Sequence, residues 1–496
     1  MRIRAAAVPA VALAVTVALA VTVALVWTRS GPGPEAGAPP APPAQPTPSA
    51  EQVQAGATPG APGIGDAYFP GDGNGGYDVR RYAVDVRYDP ATDRLAGRTT
   101  ITATATGNLS RFNLDLALPA SAVEVDGAPA AHTQRGTELV VTPPRPVPAG
   151  ATMTVRVDYA GIPSETGPDS PWVRTADGAL AVNQPDIAPW WFPSNDHPAD
   201  KASMAVTITV PEGVEALSNG ALLAGPEPAG NGQDRWRWRA DAPMAPYLAF
   251  VAIGQYELVR RDTPFGSLLV GYAEGLEPEL AAAARQSVGQ TPRIVGVLSG
   301  LFGEYPFDHL GGVVPDAPGL GIALENQTRP VYSPAFFTGG PYVDVVVHEL
   351  AHQWFGDSVS VRRWRDIWLN EGFATYAEWL YSERTGGPSA QQIVGAHYDS
   401  IPADDPFWQV PPADPGAANL LDPAVYTRGA MALHAIRVAV GDEAFFATLR
   451  AWAAQRRHGN GTVEAFLALA QRRSGQQLDA LADAWLYQPG RPERTG

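Results

Sequence analysis

His348, Glu349 and His352 form an H-E-x-x-H pattern inside the run VVVHELAHQWFGD, and Glu371 follows after eighteen intervening residues, in WLNEGFATYAEW. In a helix, positions i and i+4 lie on one face, so both imidazoles can reach one ion. Zinc takes nitrogen and oxygen ligands at about 2.0–2.2 Å, and a catalytic zinc keeps one position open for water. His348, His352 and Glu371 supply three ligands to a single Zn2+ per chain. Glu349 stands beside the open position, where a carboxylate can take the proton of the bound water. The pattern alone also arises by chance in amphipathic helices, as two exposed histidines around a carboxylate. The apolar VDVVV that precedes it and the second carboxylate in Asn370-Glu371-Gly372 select the zinc-hydrolase reading. The other six histidines (His132, His197, His309, His397, His434 and His458) lack ligand spacing and read as surface or packing residues.

Two carboxylates could orient a ligand imidazole. Glu378 lies seven residues after Glu371 on the same helix face, so it is placed to fix a histidine tautomer. Asp357, just after the H-E-x-x-H helix, could fill that role or cap the helix. The sequence leaves both open.

The elements that must position these residues divide the chain. From Tyr77 to about Glu257 the stretches YAVDVRYD, RTTITATATG, ELVVTP, MTVRVDYA and MAVTITVP alternate apolar and polar residues between Gly, Pro, Asn and Asp. They predict a largely antiparallel β domain, a curved sheet or sandwich. GSLLVGYAE reads as a further strand. A helical stretch follows from about Glu277 to Leu301, with a break or fresh start at Pro292. From about Val343 to Trp485, helical apolar spacing dominates. The predicted fold class is therefore α+β and multidomain. Residues 66–257 form an N-terminal antiparallel β domain, and residues 258–496 a mainly helical zinc catalytic domain.

The amino-terminal region reads differently. Arg2 and Arg4 precede the apolar run from Ala5 to Trp27. A bilayer needs about 20 apolar residues, and positive charge keeps the amino end inside. Residues 1–29 are expected to be a signal anchor, with a cleaved signal peptide ending near Ala18-Leu19-Ala20 as the alternative. The chain is then single-pass in the cell membrane with its catalytic part extracytoplasmic, or secreted after cleavage. Residues 30–65 are rich in Pro, Ala and Gly, have almost no large apolar side chains, and predict a disordered spacer. The formal net charge of −16 and the lack of a basic patch argue against nucleic-acid binding. There is no cysteine, so the fold is built without disulfides. Lys201 is the only lysine.

HELAHQWFGD with WLNEGFATYAE resembles the aminopeptidase N family of gluzincin zinc metallopeptidases. FGEYPFDHLGGVVPD, GLGIALENQTRPVY and VYTRGA match in the expected order, so the resemblance covers roughly residues 65 to 490. It implies a thermolysin-like catalytic domain behind the β domain. It also implies that Tyr426, in VYTRGA, donates to the developing oxyanion. Arg428 stands where the family usually has lysine, which keeps the charge and leaves the geometry open. The family's Gly-Ala-Met-Glu-Asn stretch corresponds to Ile322-Ala323-Leu324-Glu325-Asn326. Glu325 and Asn326 match, and the resemblance makes them substrate-binding, with Glu325 holding the free α-amine. Counting back from Pro193 and Asp196 places Gln184 at a second amine-holding position. The chain resembles a short form without the family's C-terminal helical domain, so a more open cleft is expected.

The reading is a zinc aminopeptidase acting on peptides with a free amino terminus, in contact with the membrane through its leader. One alternative is a thermolysin-like zinc endopeptidase, which the open cleft favours and the amine-holding residues oppose. Another is an inert, surface-displayed peptide-binding protein, which the intact ligands, Glu349 and Tyr426 oppose.

Overall fold

The computed structural model describes residues 56–167 and 170–494. The expected anchor or signal peptide at 1–29, and most of the expected spacer, lie outside the described residues. Among the described residues no helix is long and apolar enough to cross a membrane. The spacer expectation fails at its far end. Thr58–Pro59 is a short strand beside Leu109–Asp115. The Thr58 N–H donates to the Asn108 carbonyl at 2.9 Å, and the Gly60 N–H to that of Arg111 at 2.9 Å. Composition gave no hint of this, because the pairing uses backbone groups that every residue carries.

The alternating stretches form the expected β domain. Its main sheet has eight strands, in the order Ala221–Gly230, Gln233–Met244, Ala202–Pro211, Tyr77–Asp89, Arg94–Ala105, Thr152–Gly161, Ala120–Val125 and Ala128–Pro129. Neighbours run antiparallel, except that Ala202–Pro211 lies parallel to Tyr77–Asp89. The period of two sends Tyr82, Val84, Val86 and Tyr88 inward with Ile101, Val155, Val157, Val206 and Ile208, all buried. Each such side chain contributes about 1.5–3 kcal/mol of burial. Two four-stranded sheets complete this part.

Val251–Gly254 is the last strand of that region, and Tyr256–Thr263 opens a separate five-stranded mixed sheet with Gly266–Ala273, His309–Val314, Val331–Tyr332 and Ala323–Leu324. The helical stretch divides into two helices, Pro278–Val288 and Thr291–Phe302, with the fresh start expected at Pro292. Pro292 sits in the first turn of the second, where its missing N–H leaves no bond unmade.

The helices that matter for the site are Asp344–Ala351, Trp368–Thr385 and Pro423–Val440. The last two touch through glycines. A Cβ on Gly429 would lie 3.3 Å from Gly372 Cα, and one on Gly372 would lie 3.1 Å from the Gly429 carbonyl carbon and 2.5 Å from the Trp368 ring. Only hydrogen at both positions lets the helix bearing Glu371 approach the helix bearing Tyr426 so closely.

Candidate active site

The Asp344–Ala351 helix places His348 and His352 one turn apart, with ring centroids 4.8 Å apart. Each Nδ1 has an acceptor. His348 Nδ1 donates to Glu378 Oε1 at 2.6 Å, and His352 Nδ1 donates to the Phe355 carbonyl at 3.1 Å. Both Nε2 atoms are thereby turned inward, each 3.4 Å from Glu371 Oε2. The three ligand atoms lie within 4.8 Å of one another. Tetrahedral bonds of about 2.0–2.2 Å separate neighbouring ligand atoms by about 3.3–3.6 Å, so this donor set fits a zinc ion. Glu325, Glu349 and His352 also lie within 4.8 Å of one another. That trio uses only one of the two inward imidazoles, so the first set is the better metal centre.

Electrostatics sharpen the roles. Burial raises the Glu371 carboxyl, but His352 and the hydrogen bonds from both imidazoles outweigh it and hold the group well below the ordinary range. Glu349 is 5% exposed. Burial pushes it up to about 8, against the lowering effect of the two histidines, and Glu325 and Glu371 add to the rise. A carboxylate poised near neutrality suits a general base.

Tyr426 stacks on His348, with centroids 5.9 Å apart and rings 21° from parallel. Burial, then the carboxylates of Glu371, Glu325 and Glu349, raise its hydroxyl well above the ordinary tyrosine value. It stays protonated and available as a donor.

Glu325 closes the other side. It is 2% exposed. Its Oε1 accepts from the Tyr247 hydroxyl at 2.9 Å and from Gln184 Nε2 at 3.4 Å. Gln353, inside the H-E-x-x-H segment, donates to the Glu325 carbonyl at 3.1 Å. Gln184, Glu325, Glu349, the metal ligands and Tyr426 share one cavity of about 460 Å³.

Two expectations need correction, and one open point is decided. Asn326 does not line this cavity: it is fully buried and donates to the Leu248 carbonyl at 3.0 Å, so it ties the segment after the Ala323–Leu324 strand to the turn Pro246–Leu248. Asp357 does not orient a ligand histidine. Glu378 holds His348 and a backbone carbonyl holds His352, while the buried Asp357 carboxyl is raised by burial and eased by Lys201. Arg428 keeps the charge, and the geometry left open turns out to point it away from the cleft. It donates to the carbonyls of Trp408, Val410, Ala484, Trp485 and Gln488, which face the packed side of its helix.

Sequence reasoning missed Tyr247 and Gln353. Gln353 follows His352 directly and could have been considered from the motif. Tyr247, 78 residues before its partner, carried no local signal.

The Peptidase family M1 domain matches residues 339–485. Glutamyl aminopeptidase of Bos taurus is 27% identical over 337 residues, 64% of this chain and 35% of the relative. Aminopeptidase N of Streptomyces lividans is 28% identical over 337 residues, covering 61% of this chain and 37% of the relative. The chain therefore spans about a third of the length of these relatives. The M1 zinc metallopeptidase from Deinococcus radiodurans has a similar structure, at 31% identity and TM-score 0.78, covering 87% of this chain and 98% of that one. A two-domain M1 zinc metallopeptidase mutant bound to L-arginine is similar at 30% identity and TM-score 0.77, covering 87% and 99%.

Proposed function

This chain belongs to the M1 family of zinc metallopeptidases, and from that premise we propose that it is an aminopeptidase that hydrolyses the first peptide bond of chains with a free amino terminus. The observation that carries this reading is Glu325, a buried carboxylate beside Glu349 and His352, with Gln184 and Tyr247 on its Oε1. A carboxylate one residue away from the scissile carbonyl anchors an ammonium group and makes the site count from the amino end. Solved relatives that hold L-arginine, L-tryptophan or a Tyr-Ser-Ala substrate support it.

When bound at His348, His352 and Glu371, the ion supplies Lewis acidity to a water and to the scissile carbonyl. Glu349 accepts the water proton and returns it to the leaving amine. The Tyr426 hydroxyl donates to the carbonyl oxygen as negative charge develops there. Glu378 and the Phe355 carbonyl hold the two imidazoles in the tautomer that presents Nε2. Glu325 and Gln184 position the substrate ammonium.

The test compares wild type with Glu325→Ala on aminoacyl anilides and on their acetylated counterparts, with zinc content measured in both. Wild type is expected to cut only the free-amine set, and Glu325→Ala to lose that activity while keeping zinc. Equal cleavage of acetylated substrates would instead support an endopeptidase. We further propose an extracytoplasmic location, which the apolar run from Ala5 to Trp27 behind Arg2 and Arg4 supports. Fractionation of cells expressing the full chain checks it, and activity confined to the cytosol would overturn it.

A further inference from the structure

We propose that a second cavity, apart from the metal centre, binds a phosphate group where the β domain meets the five-stranded sheet. The cavity holds about 380 Å³ and shares no lining residue with the zinc cleft. The start of the Ala221–Gly230 strand forms one wall. The strands Tyr256–Thr263, Gly266–Ala273 and His309–Val314, with Arg329, form the other.

Its lining is cationic in a chain of net charge −16. Arg260, Arg261 and Arg329 face it against one carboxylate, Asp262, which accepts from Ser267 Oγ at 3.1 Å. Arg261 donates to the Gly289 carbonyl at 3.1 Å. Arg260 is exposed and makes no hydrogen bond or ion pair among the described residues. Arg329 is 2% exposed, yet among the described residues no carboxylate pairs with it. Its guanidinium donates to the carbonyls of Leu269 and Gly220 at 3.2 Å each and to that of Ser218, which uses three of its five N–H groups. The Trp238 ring lies 4.9 Å from it. Carbonyl dipoles and a ring face share this charge without cancelling it. Burial, with Arg260 adding like charge, lowers the Arg329 pKa to about 9. Arg428, equally buried, is instead enclosed by five carbonyls.

Buried charges are paired as a rule, so this space calls for an anion. Guanidinium forks take phosphate oxygens two at a time, and a tetrahedral ion has acceptors enough for arginines on different segments. His309, whose pKa burial and then Arg329 lower, adds a neutral imidazole that can donate. Chloride carries charge but a single acceptor atom, so it serves as the control. An anion held here offsets the guanidinium that joins the Ser218 and Gly220 carbonyls to that of Leu269, and so clamps the β domain to the neighbouring sheet.

The experiment follows thermal unfolding of the zinc-loaded full chain as inorganic phosphate is added, with ionic strength fixed by sodium chloride. A saturable rise of about 2 °C is expected at ten times Kd. Glycerol 3-phosphate is titrated in parallel. Tighter binding of this monoester assigns the site to a larger phosphorylated molecule, and tighter binding of inorganic phosphate assigns it to the free ion. Arg260→Ala is expected to leave the midpoint without phosphate unchanged and to weaken binding about tenfold, the loss of one charge-assisted hydrogen bond. Asp262→Asn removes the opposing charge and is expected to tighten binding. No saturable shift by either phosphate in wild type, or equal Kd in wild type and Arg260→Ala, would overturn the proposal. Both outcomes leave the aminopeptidase reading intact, because that reading rests on the other cavity.

Discussion

Lys201 Nζ donates to the Asp357 carbonyl at 2.6 Å, across 156 residues of sequence. It also reaches the carbonyls of Ser358 at 3.0 Å and Gly459 at 3.3 Å. Lys201 directly precedes the Ala202–Pro211 strand of the β sheet, and the turn it holds follows the metal-binding helix. The same turn offers the Phe355 carbonyl to His352 Nδ1, and the Asp357 N–H donates to the His352 carbonyl at 2.9 Å. One partly buried lysine, whose pKa burial lowers to about 7, thus ties the β domain to the loop that sets a ligand imidazole.

Lys201→Met removes the donor from three carbonyls. Buried acceptors left without partners cost about 1–3 kcal/mol each, so destabilisation on the order of 3 kcal/mol is expected in urea unfolding. Zinc affinity, read by chelator competition, is expected to fall about tenfold through the loosened Phe355 carbonyl. An unchanged zinc affinity would show that the turn keeps its shape without Lys201.

Glu378→Gln keeps the shape of the side chain but removes the charge opposite His348 Nδ1. Zinc affinity is expected to fall about 10–100-fold with the fold intact. Circular dichroism beside the same chelator competition checks it, and a variant that binds zinc like wild type would remove Glu378 from the orienting role.

Tyr426→Phe leaves the ring on His348 and takes away only the hydroxyl. A drop of about 10²–10³ in kcat is expected, with KM and zinc content little changed. If KM rises instead while kcat holds, the hydroxyl binds substrate rather than the oxyanion.

Gly429→Ala forces a methyl group against Gly372 and Trp368. Overpacking of this kind costs about 1–3 kcal/mol. Because the two helices carry Tyr426 and Glu371, kcat is expected to fall along with the midpoint of thermal unfolding. Ala at the exposed helix position Val438 serves as a control that moves neither.

Asp66 gives the pH prediction. Burial raises its carboxyl, but hydrogen bonds from His197, Trp364, Tyr68 and Phe69 outweigh this and bring it down to about 2. The folded value lies below the unfolded one, so the stabilisation is complete above about pH 4 and is lost as pH falls toward 2, about 2 kcal/mol in all. Asp66→Asn keeps two acceptor contacts and removes the titration. The stability gap between wild type and this variant is expected to close between pH 4 and pH 2. A gap that is constant across that range would exclude the linkage.

The metal centre was legible because its spacing is helix geometry. His348, Glu349 and His352 lie on one turn, and Glu371 and Glu378 share the face of the next helix, so period alone brings them near one ion. The β domain was legible for the same reason, through its period of two. Tyr426, Glu325 and Gln184 were reached only through resemblance, since no local period marks them. Tertiary structure alone decided which acceptor each imidazole takes, and it chose Glu378 for one and a backbone carbonyl for the other. It also turned Arg428 away from the cleft and sank Asn326 beneath it, because both sit on faces that pack against distant segments. Tyr247 and Lys201 act on partners 78 and 156 residues away. Such contacts depend on how the β domain docks on the helices, and no local pattern encodes that docking.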